Sequence, residues 1–128
     1  MENFRALSIR QPYAEAILRG LKPVEWRRQP TKIRGRIYIY ASETPGDPGV
    51  FPQLDPEMGR LPRGVLVGTV ELTDCTFDDG YYAWHLANPE RLAEPVKPLT
   101  HPQPVWFYPF EEIGKGGQRA SPTKPQQQ

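Results

Sequence analysis

One cysteine, two histidines and no long apolar run set the first limits on this 128-residue chain. The single thiol, Cys75, excludes an internal disulfide, and no paired-cysteine spacing suits a zinc site. His85 and His101 lack metal-like partner spacing too, so neither a metal nor a cofactor is expected. No apolar stretch approaches the roughly 18 residues needed to span a bilayer. No apolar run follows Met1 as a secretory signal would require. The expectation is a reducing, cytoplasmic setting away from membranes.

Charge of one sign is scarce overall, with a net value of +1, but the balance conceals an asymmetry. Residues 1–40 carry nine lysines and arginines against three glutamates, about +6, which leaves about −5 for the remainder. A basic end can orient a polyanion. The plainer alternative is a set of solvated surface arginines. Proline, in contrast, is abundant at 16 residues. It argues against a helical bundle and for short strands separated by turns.

The chain pattern agrees. Residues 4–9 read as a first strand. Pro12 suits the first helical position, Ala14, Ile17 and Leu18 make an apolar stripe, and Gly20 can end the turn, so a helix is expected over about 11–19. Val24–Arg27 alternates like a half-buried strand, with Trp26 expected to face the core. Residues 36–41 are rich in β-branched and aromatic side chains. Residues 43–63 form a Pro/Gly-rich loop, with a helical turn expected around 56–60. Residues 64–77 give the longest strand signal, with Gly68 as a bend or bulge. Further strands are expected at 82–86 and 105–108, with a turn at Asn88-Pro89 and a short edge segment at 96–99. Beyond residue 113 apolar content nearly vanishes. The organisation expected is one domain over 1–113 and a disordered tail over 114–128. Five to six short strands and one early helix indicate an α+β fold, a small and partly open β-barrel.

The segment Leu7-Ser8-Ile9-Arg10-Gln11-Pro12-Tyr13-Ala14, then Ile17-Leu18-x-Gly20-x-Lys22-x-x-Glu25-x-Arg27, resembles the opening signature of the ASCH domain, a branch of the PUA-like superfamily. Similar blocks follow at 35–42, 64–72, 84–89 and 102–107, so the resemblance covers most of residues 4–110. It implies a PUA-like β-barrel with the helix beside a cleft, and a role in RNA-related processes.

Within that frame Lys22, just past the helix, suits a phosphate or a nucleobase carbonyl. Glu25 and Arg27 share strand parity and should face one side, while Arg28 points the other way and can meet a backbone from the rim. Ser8 and Gln11 flank the helix start, where backbone N–H groups attract anions and a Gln amide can read a base edge. Tyr40 and Ser42 end a strand near the same mouth by family analogy, and His101 lies in a loop near the last strand. Tyr38 and Tyr40 can stack bases or fill the core. Trp84 and Trp106 read as core.

The function expected from this set is RNA or nucleotide binding in a basic cleft. A hydrolase acting on RNA or a modified nucleoside is the second reading, because some relatives hydrolyse RNA and one compact branch deacylates N4-acetylcytidine. In that branch a threonine follows the glycine-lysine turn; Glu25 stands there here, so a covalent route lacks its hydroxyl. Lys22 and Glu25 would then be the catalytic candidates, as oxyanion stabiliser and general base. A third reading is a protein adaptor that uses the tail or the 43–63 loop as its contact surface.

Overall fold

A computed structural model describes residues 1–110; the expected domain end at 113 and the tail lie outside the described residues. Six strands, β1 (Ala6–Ile9), β2 (Val24–Arg27), β3 (Gly35–Ala41), β4 (Val65–Asp78), β5 (Tyr81–Val96) and β6 (Trp106–Phe107), form one sheet in the order β2-β5-β4-β3-β1-β6. All neighbours are antiparallel except β1 and β3, which run parallel with Ser8 opposite Tyr40. Among the described residues no helix is long and apolar enough to cross a membrane.

The sheet is open by its backbone ladder and rolled by its side chains. Trp84 of β5 stacks on Trp106 of β6 at the far margin, with ring centroids 5.8 Å apart and planes 9° from parallel. Arg27 of the other margin donates from Nη2 to the Ser8 carbonyl at 3.1 Å. The two margins therefore face each other across a gap closed by side chains. Leu7, Ile9, Ile37, Ile39, Val70 and Leu72 fill the interior with Ala14 and Ile17 of the helix α1 (Tyr13–Leu18). A second cluster, Tyr38, Tyr40, Leu66 and Phe107, packs with Phe4 and Phe110 on the other face of β3.

Several expectations change in the folded chain. The helix is shorter than expected, Tyr13–Leu18, and Gly20 follows it at φ +77°, the left-handed geometry that glycine adopts without a Cβ penalty. Trp26 is 48% exposed rather than core. The strand β2 is a sheet margin, and its inward face belongs to Glu25, which lies opposite Trp84. Asn88-Pro89 does not reverse the chain. Asn88 takes φ +51° inside β5, and the register with β4 shifts around it. Asparagine tolerates that conformation, so the strand bulges and continues to Val96. Val96 thus ends β5, and residues 97–99 follow it outside any strand rather than forming a separate edge.

The Pro/Gly-rich loop is largely exposed but anchored through a few side chains. A run of 3₁₀ turns spans Pro52–Arg60, Leu54 is fully buried, and Phe51 meets Tyr13 edge-on at 6.1 Å. Gly68 does mark a register shift, and the reason is close approach. A Cβ there would lie 2.4 Å from Leu18 Cδ2 and 2.5 Å from the Glu90 carbonyl oxygen. The early helix sits on the sheet because that position has no side chain.

Candidate functional site

The gap between the sheet margins holds a hollow of about 710 Å³, within the size range of small-molecule sites. Its walls come from β1 (Ser8, Ile9), β2 (Glu25, Arg27), β3 and its exit (Tyr40, Ser42) and the 101–104 loop. The parallel pairing of β1 and β3 explains part of this convergence. Both strands end at the same place, so Ser8 and Tyr40 arrive side by side.

Glu25 and Arg27 share a face because they are two residues apart on a strand. Arg27 donates from Nε to Glu25 Oε2 at 2.8 Å, and its Nη2 lies 2.7 Å from the same oxygen. The guanidinium also sits over the Trp84 ring at 5.4 Å. Glu25, Ser8 and Trp84 thus fix the plane and the direction of Arg27. Lys22 approaches Glu25 Oε1 at 3.4 Å and donates to the Val24 carbonyl at 2.7 Å. It stands behind the carboxylate and lines a separate hollow of about 200 Å³ with Ile17 and Pro23. Its Nζ is 5.5 Å from the centre of the Tyr13 ring, and that ring forms part of the main hollow's wall.

Burial, with a smaller contribution from Glu43, pushes the Tyr40 phenol up from its ordinary value. It stays a neutral hydroxyl at physiological pH. The Ser8 hydroxyl donates to the Gln103 carbonyl at 2.8 Å and ties the 101–104 loop to β1. Ser42 donates to the Thr44 carbonyl at 3.3 Å. Each of these hydroxyls keeps acceptor capacity on its oxygen.

Of the residues singled out from sequence, Ser8, Glu25, Arg27, Tyr40, Ser42 and His101 meet in this hollow. Three do not. Lys22 is one layer behind. Arg28 lies outside, over the Tyr81 ring at 5.0 Å and hydrogen-bonded to its hydroxyl at 3.1 Å. Gln11 is 1% exposed; its Nε2 donates to the Pro62 carbonyl at 2.9 Å and its Oε1 accepts from the Glu15 amide at 3.0 Å. That amide ties the chain just past the 3₁₀ segment to the helix start, and its burial leaves no face for a base edge. Tyr13, Arg10, Glu43 and Gln103 line the hollow without having been singled out. Tyr13, Arg10 and Gln103 lie within motif blocks already recognised, but only the meeting of chain positions 95 residues apart gives Gln103 a place beside Ser8.

The charges here are balanced. Arg10 and Arg27 line the hollow together with Glu25 and Glu43, so the lining is neutral in sum rather than basic. Such a wall, with both donors and acceptors and a Tyr13 ring, suits a flat polar heterocycle better than a bare anion. Among the described residues no group of three or more His, Cys, Asp or Glu side chains is arranged to hold a metal ion.

Comparisons with known proteins agree on one family. The family model described as ASCH domain matches residues 7–106. Activating signal cointegrator 1 from Homo sapiens is 35% identical over 80 residues, 54% of this chain and 14% of that protein. The Mus musculus protein of the same name matches to the same extent. The chain therefore spans a small part of these relatives. Among solved structures, ASCH from Zymomonas mobilis superposes with a TM-score of 0.58 at 17% identity, covering 83% of this chain and 87% of that one. A mutant of that bacterial protein gives a TM-score of 0.57 at 16% identity, covering 84% and 90%.

Proposed function

This chain belongs to the ASCH domain family, and on that premise we propose that it is an RNA-binding module whose cleft receives one unpaired nucleotide. The observation that carries the reading is the constellation at the gap between the sheet margins, with Arg27 held by Glu25, by the Ser8 carbonyl and by the Trp84 ring at the wall of a 710 Å³ hollow. A preorganised guanidinium gives planar, directional donors, which suit a base carbonyl or a phosphate oxygen. Tyr13 offers a ring for stacking, and sequence-specific RNA recognition relies on unstacked bases held in this way. The neutral lining favours the base over the backbone as the occupant.

Binding fits the geometry better than hydrolysis does. Both oxygens of Glu25 are engaged, one by Lys22 and one by Arg27. A carboxylate clamped between two cations serves as a positioning group rather than facing an attacking water. The hydroxyls of Ser8 and Ser42 both donate to backbone carbonyls, so neither is paired with a base that would activate it.

Titration of nucleosides, mononucleotides and short single-stranded RNA, followed by amide chemical shifts, tests the reading. Shifts are expected at Ser8, Arg27, Tyr40 and Gln103. Arg27→Ala is expected to weaken mononucleotide binding about tenfold or more, the loss typical of a charge-assisted hydrogen bond. Shifts confined to other surfaces, or an Arg27→Ala affinity equal to that of the parent, would remove the cleft from consideration. Turnover of RNA or of N4-acetylcytidine that disappears with Glu25→Gln would establish the hydrolase instead.

A further inference from the structure

Of the nine basic side chains in residues 1–40, Arg10 and Arg27 line the cleft, while four gather at the opposite end of the β1–β3 pair, in a second hollow of about 410 Å³. Arg5, Lys32, Arg34 and Arg36 line it, and no carboxylate does. Lys32 is exposed and has no hydrogen bond, ion pair or ring contact among the described residues. Arg34 folds back from Nη1 onto the Thr31 and Ile33 carbonyls at 2.9 and 2.8 Å, and its Nη2 is 3.8 Å from the exposed Asp74. Arg36 is anchored by Thr69 Oγ1 at 3.0 Å and by the Asn88 carbonyl at 2.8 Å. Arg5 lies 5.4 Å from the centre of the Tyr108 ring.

We infer that this second hollow is a phosphate-binding site for the backbone of the RNA strand whose nucleotide occupies the cleft. The inference rests on the reading above for the identity of the strand, and on the hollow itself for the phosphate chemistry. Four like charges gathered at one hollow, with only the exposed Asp74 near one of them at 3.8 Å, repel one another, and an anion relieves that repulsion. Two of the four are pinned by neutral hydroxyl or carbonyl oxygens, which hold guanidinium groups in place without neutralising them. Lys32 adds a free point charge of the kind that contacts phosphate.

Position favours one continuous ligand. Arg5 precedes Ser8, and Arg36 precedes Tyr40, along two parallel strands, so roughly 10–13 Å of strand separates the two hollows. Three or four nucleotides cover that span at ~3.4 Å each when stacked. A base in the cleft and backbone phosphates in the second hollow divide recognition in the usual way, with one contact specifying and the other positioning.

The test compares a mononucleotide with a single-stranded oligoribonucleotide of about ten residues, using fluorescence anisotropy over a range of salt concentrations. Lys32→Ala with Arg34→Ala is expected to leave mononucleotide affinity unchanged and to weaken the oligonucleotide. It should also reduce the slope of log affinity against log salt by about 1.4, or about 0.7 per lost phosphate contact. Lys32→Ala alone breaks no contact in the fold and should remove about half of that slope, while Lys32→Arg with Arg34→Lys should restore it. An unchanged slope in both alanine variants overturns the second site. Should Arg27→Ala leave affinity intact while the slope still falls in the alanine variants, the phosphate site stands and the cleft reading fails. Absence of any RNA binding by the parent chain overturns both.

Discussion

Two buried glutamates, each held by two cations, do different things in this molecule. Glu15 on the helix receives a two-pronged pair from Arg91, with Nη1 to Oε1 at 2.9 Å and Nη2 to Oε2 at 2.8 Å, and a third bond from Arg19 at 2.7 Å. Arg19 continues to Glu57 at 2.9 Å in the 3₁₀ segment. The network joins the helix, the long strand β5 and the proline-rich loop. Glu25 takes its cations from three residues before and two residues after it. Its pairing is local, and its result is the fixed pose of Arg27 in an open hollow. One carboxylate assembles the frame and the other shapes the site. The difference lies in how far along the chain the partners come from, a property that burial alone does not reveal.

The frame is where the largest effect is expected. Gly68 lies under Leu18 and beside the Glu90 carbonyl, next to the Arg91 that grips Glu15. Gly68→Ala places a methyl group 2.5 Å from a backbone oxygen, which has no flexible end to move aside. A loss of about 2–3 kcal/mol of stability is expected, the upper part of the range for overpacking in a tight interior. Chemical denaturation measures it. A loss under about 0.5 kcal/mol would mean that the helix rides on the sheet loosely, and that the frame is no firmer than the site.

Next in size is Glu15→Gln, which keeps the shape and removes the charge. Breaking a buried pair costs about 3–5 kcal/mol when the partner is left stranded. Arg91 and Arg19 have side chains 50% and 37% exposed, so water takes up much of that debt. About 1.5–2 kcal/mol is expected to remain. The same pair gives an acid-side signature. Burial pushes the Glu15 carboxyl up, but the hydrogen bonds and charge of Arg91 and Arg19 outweigh it and leave the group below its ordinary value. A carboxyl depressed on folding contributes stability that is present above its unfolded pKa, about 4.3, and is lost as pH falls through the lower folded value. The parent should therefore lose more stability than Glu15→Gln as pH falls from about 5 into the acid range. Parallel pH profiles of melting temperature for the two proteins would contradict the assignment.

What could be read from the residues follows the same division between local and distant. Strand β2 was legible to the residue because Val24–Arg27 alternates, and Gly20 was legible because a helix must end somewhere with left-handed geometry. Ser8, Glu25, Arg27, Tyr40 and Ser42 are legible through the family motif and His101 through its loop near the last strand, and the hollow collects these six but not Gln11, Lys22 or Arg28. Trp26 was misread because alternation gives parity without saying which parity faces in. A margin strand can present its tryptophan outward when a carboxylate and an arginine claim the inner side. Gln11 was assigned to the ligand because its amide can read a base, and only the fold shows that Pro62 and the Glu15 amide already use it. The basic asymmetry is legible in the residue count of positions 1–40, but its location is not. Arg5, Lys32, Arg34 and Arg36 gather at the far end of the parallel strand pair, a meeting that depends on the β1–β3 register.

The smallest effect on stability and the clearest test of the contrast come from Glu25→Gln. Lys22 and Arg27 keep backbone carbonyls after the charge is gone, at Val24 and Ser8 respectively. Lys22 and Arg27 are less exposed than the partners of Glu15, at 12% and 23%, but each keeps its backbone acceptor and no distant element is released, so the loss of stability should stay within about 1 kcal/mol. The ligand should register the change instead. Without its carboxylate anchor Arg27 samples more orientations, and mononucleotide affinity should fall about threefold to tenfold, or roughly 0.7–1.4 kcal/mol. Glu15→Gln, measured well below its melting temperature, should bind the mononucleotide as the parent does. Thermal melts and mononucleotide titrations on the two variants thus give opposite rankings if one glutamate frames and the other positions. Equal melting losses, or equal affinities, would show that both carboxylates serve a single structural network.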